Sequence, residues 1–157
     1  MSYRQFFVNS ELNEVVFYDD LESESEDPLD ASDFESDAYK LARSLDIYVL
    51  NSHSFIGGFV DENNQVVAAL FEPTDFQDCY SFDVVVHPAH QKKGLGSQLV
   101  DSAIKDFEVL QSFANDLGVS DFDYCIHVVS FEMKSILESK GFYVYQNLGS
   151  KGWLMKK

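Results

Sequence analysis

Val84-Val85-Val86-His87-Pro88-Ala89-His90-Gln91-Lys92-Lys93-Gly94-Leu95-Gly96-Ser97 is the stretch on which the reading of the fold turns. A β-branched run stops at His87-Pro88, because proline has no N–H to give to a ladder. A loop with two glycines follows, and behind it Leu95, Leu99, Val100, Ala103, Ile104, Phe107 and Leu110 recur at spacings of three and four. That periodicity predicts an amphipathic helix of about four turns. Strand, glycine loop and helix in this order build an anion cradle. Glycine admits backbone close to a ligand, successive N–H groups converge on one phosphate, and the helix N-terminus adds partial positive charge. Lys92 and Lys93 place two cations beside it, so a diphosphate is the ligand that fits. The G-x-G alone equally marks a tight turn before a helix. It is not the dinucleotide fingerprint, whose third glycine would fall at Leu99.

Upstream, Tyr3 to Val8 reads as a first strand and Asn13 to Tyr18 as a short β-like or helical piece. Asp19 to Asp37 carries 10 acidic residues and no base, which predicts an acidic loop over about residues 19–37. Like charges repel there, and little apolar material offsets the ordering entropy. Tyr39, Leu41, Ala42 and Leu45 recover helical spacing, so a helix is expected from about Ser36 to Leu45. Phe55 to Val60 and Gln65 to Phe71 form a hairpin pattern around Asp61-Glu62-Asn63-Asn64, and Tyr80 to Val86 is a third strand. Downstream, Asp121 to Val129 reads as a strand. Ser130 stands as N-cap of a short helix through Met133, Ile136 and Leu137 that stops at Gly141. Phe142 to Gln146 and Gly152 to Met155 close the chain with two strands. The order predicts one α/β (α+β) domain over residues 1–157, a mixed sheet with helices packed on it.

Composition agrees. A chain of 157 residues that is 45% hydrophobic, with 14 Phe and 8 Tyr, supports one domain with a real core and excludes disorder throughout. Its longest apolar runs are too short to span a bilayer, and Met1-Ser2-Tyr3-Arg4-Gln5 opens no secretory h-region. Cys79 and Cys125 fit no ligand or redox spacing, so reduced thiols and a cytoplasmic setting are expected. His87 and His90 lack further ligands nearby, and no metal is expected. The net charge of −16 is lopsided: residues 1–90 hold 19 acidic and 3 basic side chains, residues 91–157 hold 8 of each. Such a field repels nucleic acid and anionic membrane and attracts cationic partners; it also serves solubility.

Val86-His87-Pro88 followed by Gln91-Lys92-Lys93-Gly94-Leu95-Gly96 resembles the pyrophosphate loop, [RQ]-x-x-G-x-[GA], of the GNAT superfamily of N-acetyltransferases. Ser130 to Phe142 resembles that family's later helix ending in G-F, and the likeness covers roughly Tyr80 to Tyr145. The resemblance implies a mixed, mostly antiparallel central sheet whose middle strands splay apart, flanked by helices, with acetyl-CoA as co-substrate lying in the V. It implies that backbone N–H groups of Gln91, Lys92, Lys93, Gly94, Leu95 and Gly96, with Ser97, hold the pyrophosphate. Backbone around Val84, Val85 and Val86 would pair with the pantetheine arm, an N–H near Val84 would polarise the thioester carbonyl, and Ser130 stands where the family often has asparagine.

The implied reaction is direct attack of an amine on the thioester, with a base to deprotonate the amine and an acid for the departing thiolate. The family commonly places a tyrosine acid four residues before the G-F glycine; here that residue is Leu137. The strand positions that often carry a carboxylate hold Tyr80 and Cys125. Three residues remain as catalytic candidates. Asp83 lies on the strand before the loop, although alternation puts it on the face opposite Val84. Tyr80 has a hydroxyl to donate, and His127 has a suitable unperturbed pKa. Each residue type is also at home in a merely structural role.

Two functions follow. One is an N-acetyltransferase acting on a cationic small-molecule or peptide amine: a polyamine, an aminoglycoside-like amine or a basic peptide. The other is a low-turnover acetyl-CoA-binding or decoy protein on the same scaffold, motivated by Leu137 and the acidic tract. Neither involves nucleic acid or membrane, and either suits a monomer or homodimer.

Overall fold

The structure, a computed structural model, describes residues 2–20, 29–47, 49, 53–73, 79–80, 82–118, 123–124, 126–128 and 130–157. Strand β1 (Arg4–Asn9) turns back on β2 (Glu14–Phe17) with Phe6 opposite Phe17, and β3 (Leu29–Asp30) pairs along β2. Helix α1 (Ala31–Ser44) starts at once, because the Asp30 carboxylate accepts the Ser32 N–H at 2.7 Å and caps it.

This corrects the sequence reading, which carried the acidic loop to Asp37 and began the helix near Ser36. Ala31, Phe34, Ala38, Leu41 and Ala42 are buried at spacings of three and four, while Asp33, Glu35 and Asp37 point to solvent. Charge density hid an amphipathic helix: its acids all lie outside the buried stripe, and Asp33 in the first turn complements the macrodipole. Residues 21–28 lie outside the described residues.

The hairpin of β4 (His53–Val60) and β5 (Val66–Pro73) closes where Asp61 Oδ1 accepts the Asn63 and Gln65 N–H groups and Asn64 takes φ 59°. Beyond it, the expected strand from Tyr80 to Val86 is two elements, β6 (Cys79–Tyr80) and β7 (Asp83–Val86), in different sheets. The six-stranded sheet runs β3-β2-β1-β4-β5-β7, antiparallel throughout.

Helix α2 (Leu95–Asp116) is 22 residues long, about six turns rather than four. Its buried stripe runs from Leu95 to Phe107, Leu110 at the end of the expected helix is only partly buried, and the helix then continues with Ala114 buried. The expected strand from Asp121 to Val129 divides into β8 (Asp123–Tyr124) and β9 (Ile126–Val128). Helix α3 (Phe131–Ser139) begins as expected on Ser130, whose hydroxyl accepts the Met133 N–H at 3.1 Å, and it stops before Gly141 at φ 93°. Strands β10 (Tyr143–Asn147) and β11 (Trp153–Lys156) then form a small sheet in the order β10-β11-β9.

Two cores sit on opposite faces of the large sheet. One packs α1 over Phe6, Phe55, Phe71 and Val85; the other packs α2 and α3 over Leu70, Phe82, Ile126 and Val128. Leu137, at the position the family commonly gives to tyrosine, is fully buried in the second core with Phe142 and Met155. We expect Leu137→Ala to destabilise the fold by about 2–5 kcal/mol, a fall in Tm of roughly 5–15 °C by calorimetry. A change under about 1 kcal/mol would mean that this side chain is not core.

Candidate active site

The geometry of the site comes from where the two sheets meet. β7 is the last strand of the large sheet and β9 the last of the small one. Their upstream neighbours β6 and β8 pair in parallel, Cys79 opposite Asp123 and Tyr80 opposite Tyr124. The chain is thus joined at the base of a V, and β7 and β9 diverge above it. At the crotch lies a hollow of about 70 Å³ between Phe82, Asp83 and Val84 on one arm and Ile126, Val128, Ser130 and Met133 on the other. The V opens into a cleft of about 840 Å³, ample for an extended, drug-sized ligand.

The glycine loop stands at the wide end. Lys92 (φ 62°) and Gly94 (φ 83°) are left-handed, and α2 begins at Leu95 with Gly94 as N-cap and no side-chain cap. The N–H groups of the first turn therefore have no partner within the helix and stand at the cleft. Left-handed backbone next to a helix start is the nest geometry that gathers amides around an anion. At Gly96 a Cβ would meet Val86 Cγ2 at 3.4 Å and Ile136 Cδ1 at 3.6 Å, ordinary contact distances between α2, β7 and α3. Gln91 folds back, its Nε2 donating to the Val86 carbonyl at 3.2 Å, which ties the loop to the end of β7. Among the described residues neither Lys92 nor Lys93 has a carboxylate partner, whereas Lys134 pairs with Glu138 and Lys140 with Asp101.

Most of the residues singled out in the sequence converge here. Val84, Val86, Gln91, Lys92, Gly94, Leu95, Gly96, Ser97 and Ser130 all line the cleft. Val85 stands apart, since strand alternation turns it into the core beneath α1, where it is fully buried. Lys93 is exposed and does not line the cleft. The Ser130 hydroxyl is occupied as the α3 cap.

Of the catalytic candidates, Asp83 lines the crotch, on the α1 face of the sheet with Val85. The backbone of Tyr80 lies in β6 at the base of the V, and that of His127 in β9 opposite Leu154; their side chains, and the whole of Cys125, lie outside the described residues. His87 caps the short turn after β7, and His90 Nδ1 shares a hydrogen bond with the Tyr3 hydroxyl at 2.8 Å.

Sequence reasoning missed three contributors. Leu45 and Ile47, just beyond α1, wall the cleft on its α1 side, and no local pattern places them there. His53, at the start of β4, hydrogen-bonds through Nδ1 to Asp83 Oδ2 at 2.9 Å, thirty residues away in sequence.

The architecture is one already known. The chain has the fold of the acetyltransferase of GNAT family from Staphylococcus aureus Mu50, with a TM-score of 0.54 at 10% identity over 79% of this chain and 92% of that one. A protein from Lactobacillus plantarum proposed to be an N-acetyltransferase superposes with a TM-score of 0.53 at 17% identity, covering 80% of this chain and 91% of that one. A search by sequence among curated proteins finds no match. No helix among the described residues is long and apolar enough to cross a membrane. The acetyltransferase (GNAT) family model matches residues 16–115, from β2 through the glycine loop and nearly all of α2. Family match, divergent strands and loop at the mouth of the V agree, and the chain is an acyltransferase belonging to the acetyltransferase (GNAT) family.

Proposed function

We propose that this enzyme transfers the acetyl group of acetyl-CoA to a primary amine carried by a cationic acceptor, by direct attack and without a covalent enzyme intermediate. The observation that carries the reading is the cleft at the nest of Lys92–Ser97 together with the hollow lined by Asp83, which adjoin at the shared residues Ile47, Val84, Ser130 and Met133. Together they offer what two parts of acetyl-CoA need, amides for the diphosphate at its middle and a narrow, largely apolar hollow for the thioester at its end. When bound, the co-substrate supplies an activated acyl group.

The protein's own residues do the rest. First-turn amides of α2 and the Lys92 charge anchor the diphosphate. The backbone of β7 at Val84 and Val86 offers pairing groups along the slot, and an N–H near Val84 stabilises charge on the carbonyl oxygen. Asp83 takes one proton from the incoming ammonium, and the free amine forms the C–N bond as the C–S bond breaks. The second nitrogen proton passes to the sulfur, and the first leaves Asp83 for solvent. Leu137 donates nothing, but a thiolate leaves tolerably well unaided, its conjugate acid having a pKa near 8.5.

The acceptor reaches Asp83 past Leu45 and Ile47, and it meets a chain of net charge −16 whose first ninety residues hold 19 acids against 3 bases. That field favours a polyamine, an aminoglycoside-like amine or a basic peptide, in the cytoplasm. The test is thiol release from acetyl-CoA with spermidine, an aminoglycoside and a lysine-rich peptide. We expect release well above hydrolysis for at least one cation and none for an anionic amine such as glutamate. The competing reading, a low-turnover acetyl-CoA-binding protein, is favoured by the buried Leu137 and requires coenzyme A binding with no acceptor turned over.

A further inference from the structure

We infer that His53 is a positioning residue of this site: buried behind β5, it holds one oxygen of Asp83 so that the other faces the hollow where the amine is deprotonated. The inference rests on the reading of Asp83 as base. His53 opens β4, where its backbone lies opposite Pro73 of β5, while Asp83 of β7 lies opposite Phe71 on the other side of that strand. The imidazole therefore reaches across β5 to make its 2.9 Å bond. The His53 side chain is fully buried, so it cannot touch an acceptor and reaches the reaction through Asp83, whose side chain is 22% exposed.

Three features argue against a purely structural pair. Burying an imidazole costs free energy that an apolar residue at the same place would not, so a gain elsewhere is implied. The partner is not an interior carboxylate but one that lines the crotch of the V. The hollow is otherwise apolar apart from Ser130, whose hydroxyl caps α3, so Asp83 is its one ionisable residue among those described. An ionised carboxylate only accepts hydrogen bonds, so Nδ1 carries the proton in this pair, and fixing Oδ2 leaves Oδ1 oriented for the ammonium. A base must lie within hydrogen-bond reach of the proton it removes, and an aspartate free to turn about its χ angles spends much of its time elsewhere.

The experiment is a double-mutant cycle on the full chain, with acetyl-CoA and the amine that turns over fastest in the panel above. Asp83→Asn should lower kcat about 100-fold or more. His53→Leu should lower it roughly 10- to 100-fold, the usual range for losing an orienting partner, with the KM for acetyl-CoA and its calorimetric Kd unchanged. His53→Asn, whose amide N–H stands close to where Nδ1–H stood, should recover most of the loss. In the Asp83→Asn background His53→Leu should cost less than 3-fold more, because it acts through a group already disabled. An unchanged kcat in His53→Leu overturns the inference, as does a full loss in the Asp83→Asn background or a failure of His53→Asn to rescue while its Tm matches wild type. If no amine turns over with the wild-type enzyme, the base assignment falls and takes this inference with it. If turnover is normal and only the cycle fails, the enzyme stands and His53 is structural.

Discussion

Gly94→Val weakens coenzyme A binding by roughly 10-fold or more in calorimetry, while α2 and the sheets stay folded. The reason is conformational, not steric. At φ 83° and ψ 3° Gly94 is left-handed, yet the nearest atom to a Cβ there is Gln98 Nε2 at 3.8 Å, so there is room for a side chain. What a side chain meets is its own backbone, at about 1–2 kcal/mol for an ordinary L residue and more for a β-branched one. The loop is exposed, so it relaxes rather than hold the strain, and the amides at Leu95–Ser97 lose their common focus. A loss of 1.4 kcal/mol is a factor of about 10 in Kd. The order of severity should be Val, then Ala, then Asn, because asparagine tolerates the left-handed region best. Gly96→Ala is the control. Its Cβ meets Val86 and Ile136 at 3.4 and 3.6 Å, ordinary contact distances, and binding should fall no more than about 3-fold. If Gly94→Val binds like wild type, the anion site lies elsewhere.

The second large effect is on the fold. A Cβ at Gly58 would stand 2.1 Å from the Ala68 carbonyl oxygen, between two central strands. The obstacle is backbone already committed to a ladder, so β4 and β5 must separate. Gly58→Ala should cost about 4 kcal/mol or more, against a total stability of about 5–15 kcal/mol for a domain. The expected outcome is insoluble or largely unfolded protein by circular dichroism. Gly118→Ala tests whether glycines as a class are sensitive: it is also left-handed, at φ 80°, but nothing lies within 4 Å. It should cost only the conformational term, about 1 kcal/mol, and leave a folded protein. Equal stability of the two variants would mean that β4 and β5 do not pack as described.

Much of the site is legible in the chain because it is local. The nest, the two glycines and the start of α2 fall within six residues, Gln91 to Gly96, and a strand, a breaker and a periodic helix around them leave few alternatives. Ser130 and Gly141 likewise mark the ends of α3, since capping satisfies backbone groups within one turn. Where local and tertiary forces disagree, the reading from residues fails. The acids of Asp33 to Asp37 argued for a loop, but the apolar face of α1 has a sheet to bury itself on, and no inspection of the tract reveals that partner. The run from Tyr80 to Val86 looks like one strand because β propensity is continuous through it, yet it divides between two sheets.

The sequence by itself determined the glycine loop and the start of the helix behind it, the order of most elements and the family, because turns, caps and periodicities are set by neighbours along the chain. Tertiary structure alone decided that β7 and β9 part above a parallel β6–β8 pair and that Leu45 and Ile47 wall the cleft. It also decided that His53 lies behind Asp83. Those relations join residues 30 or more positions apart, and they form because strands and helices distant in sequence share two cores, an outcome no local preference encodes.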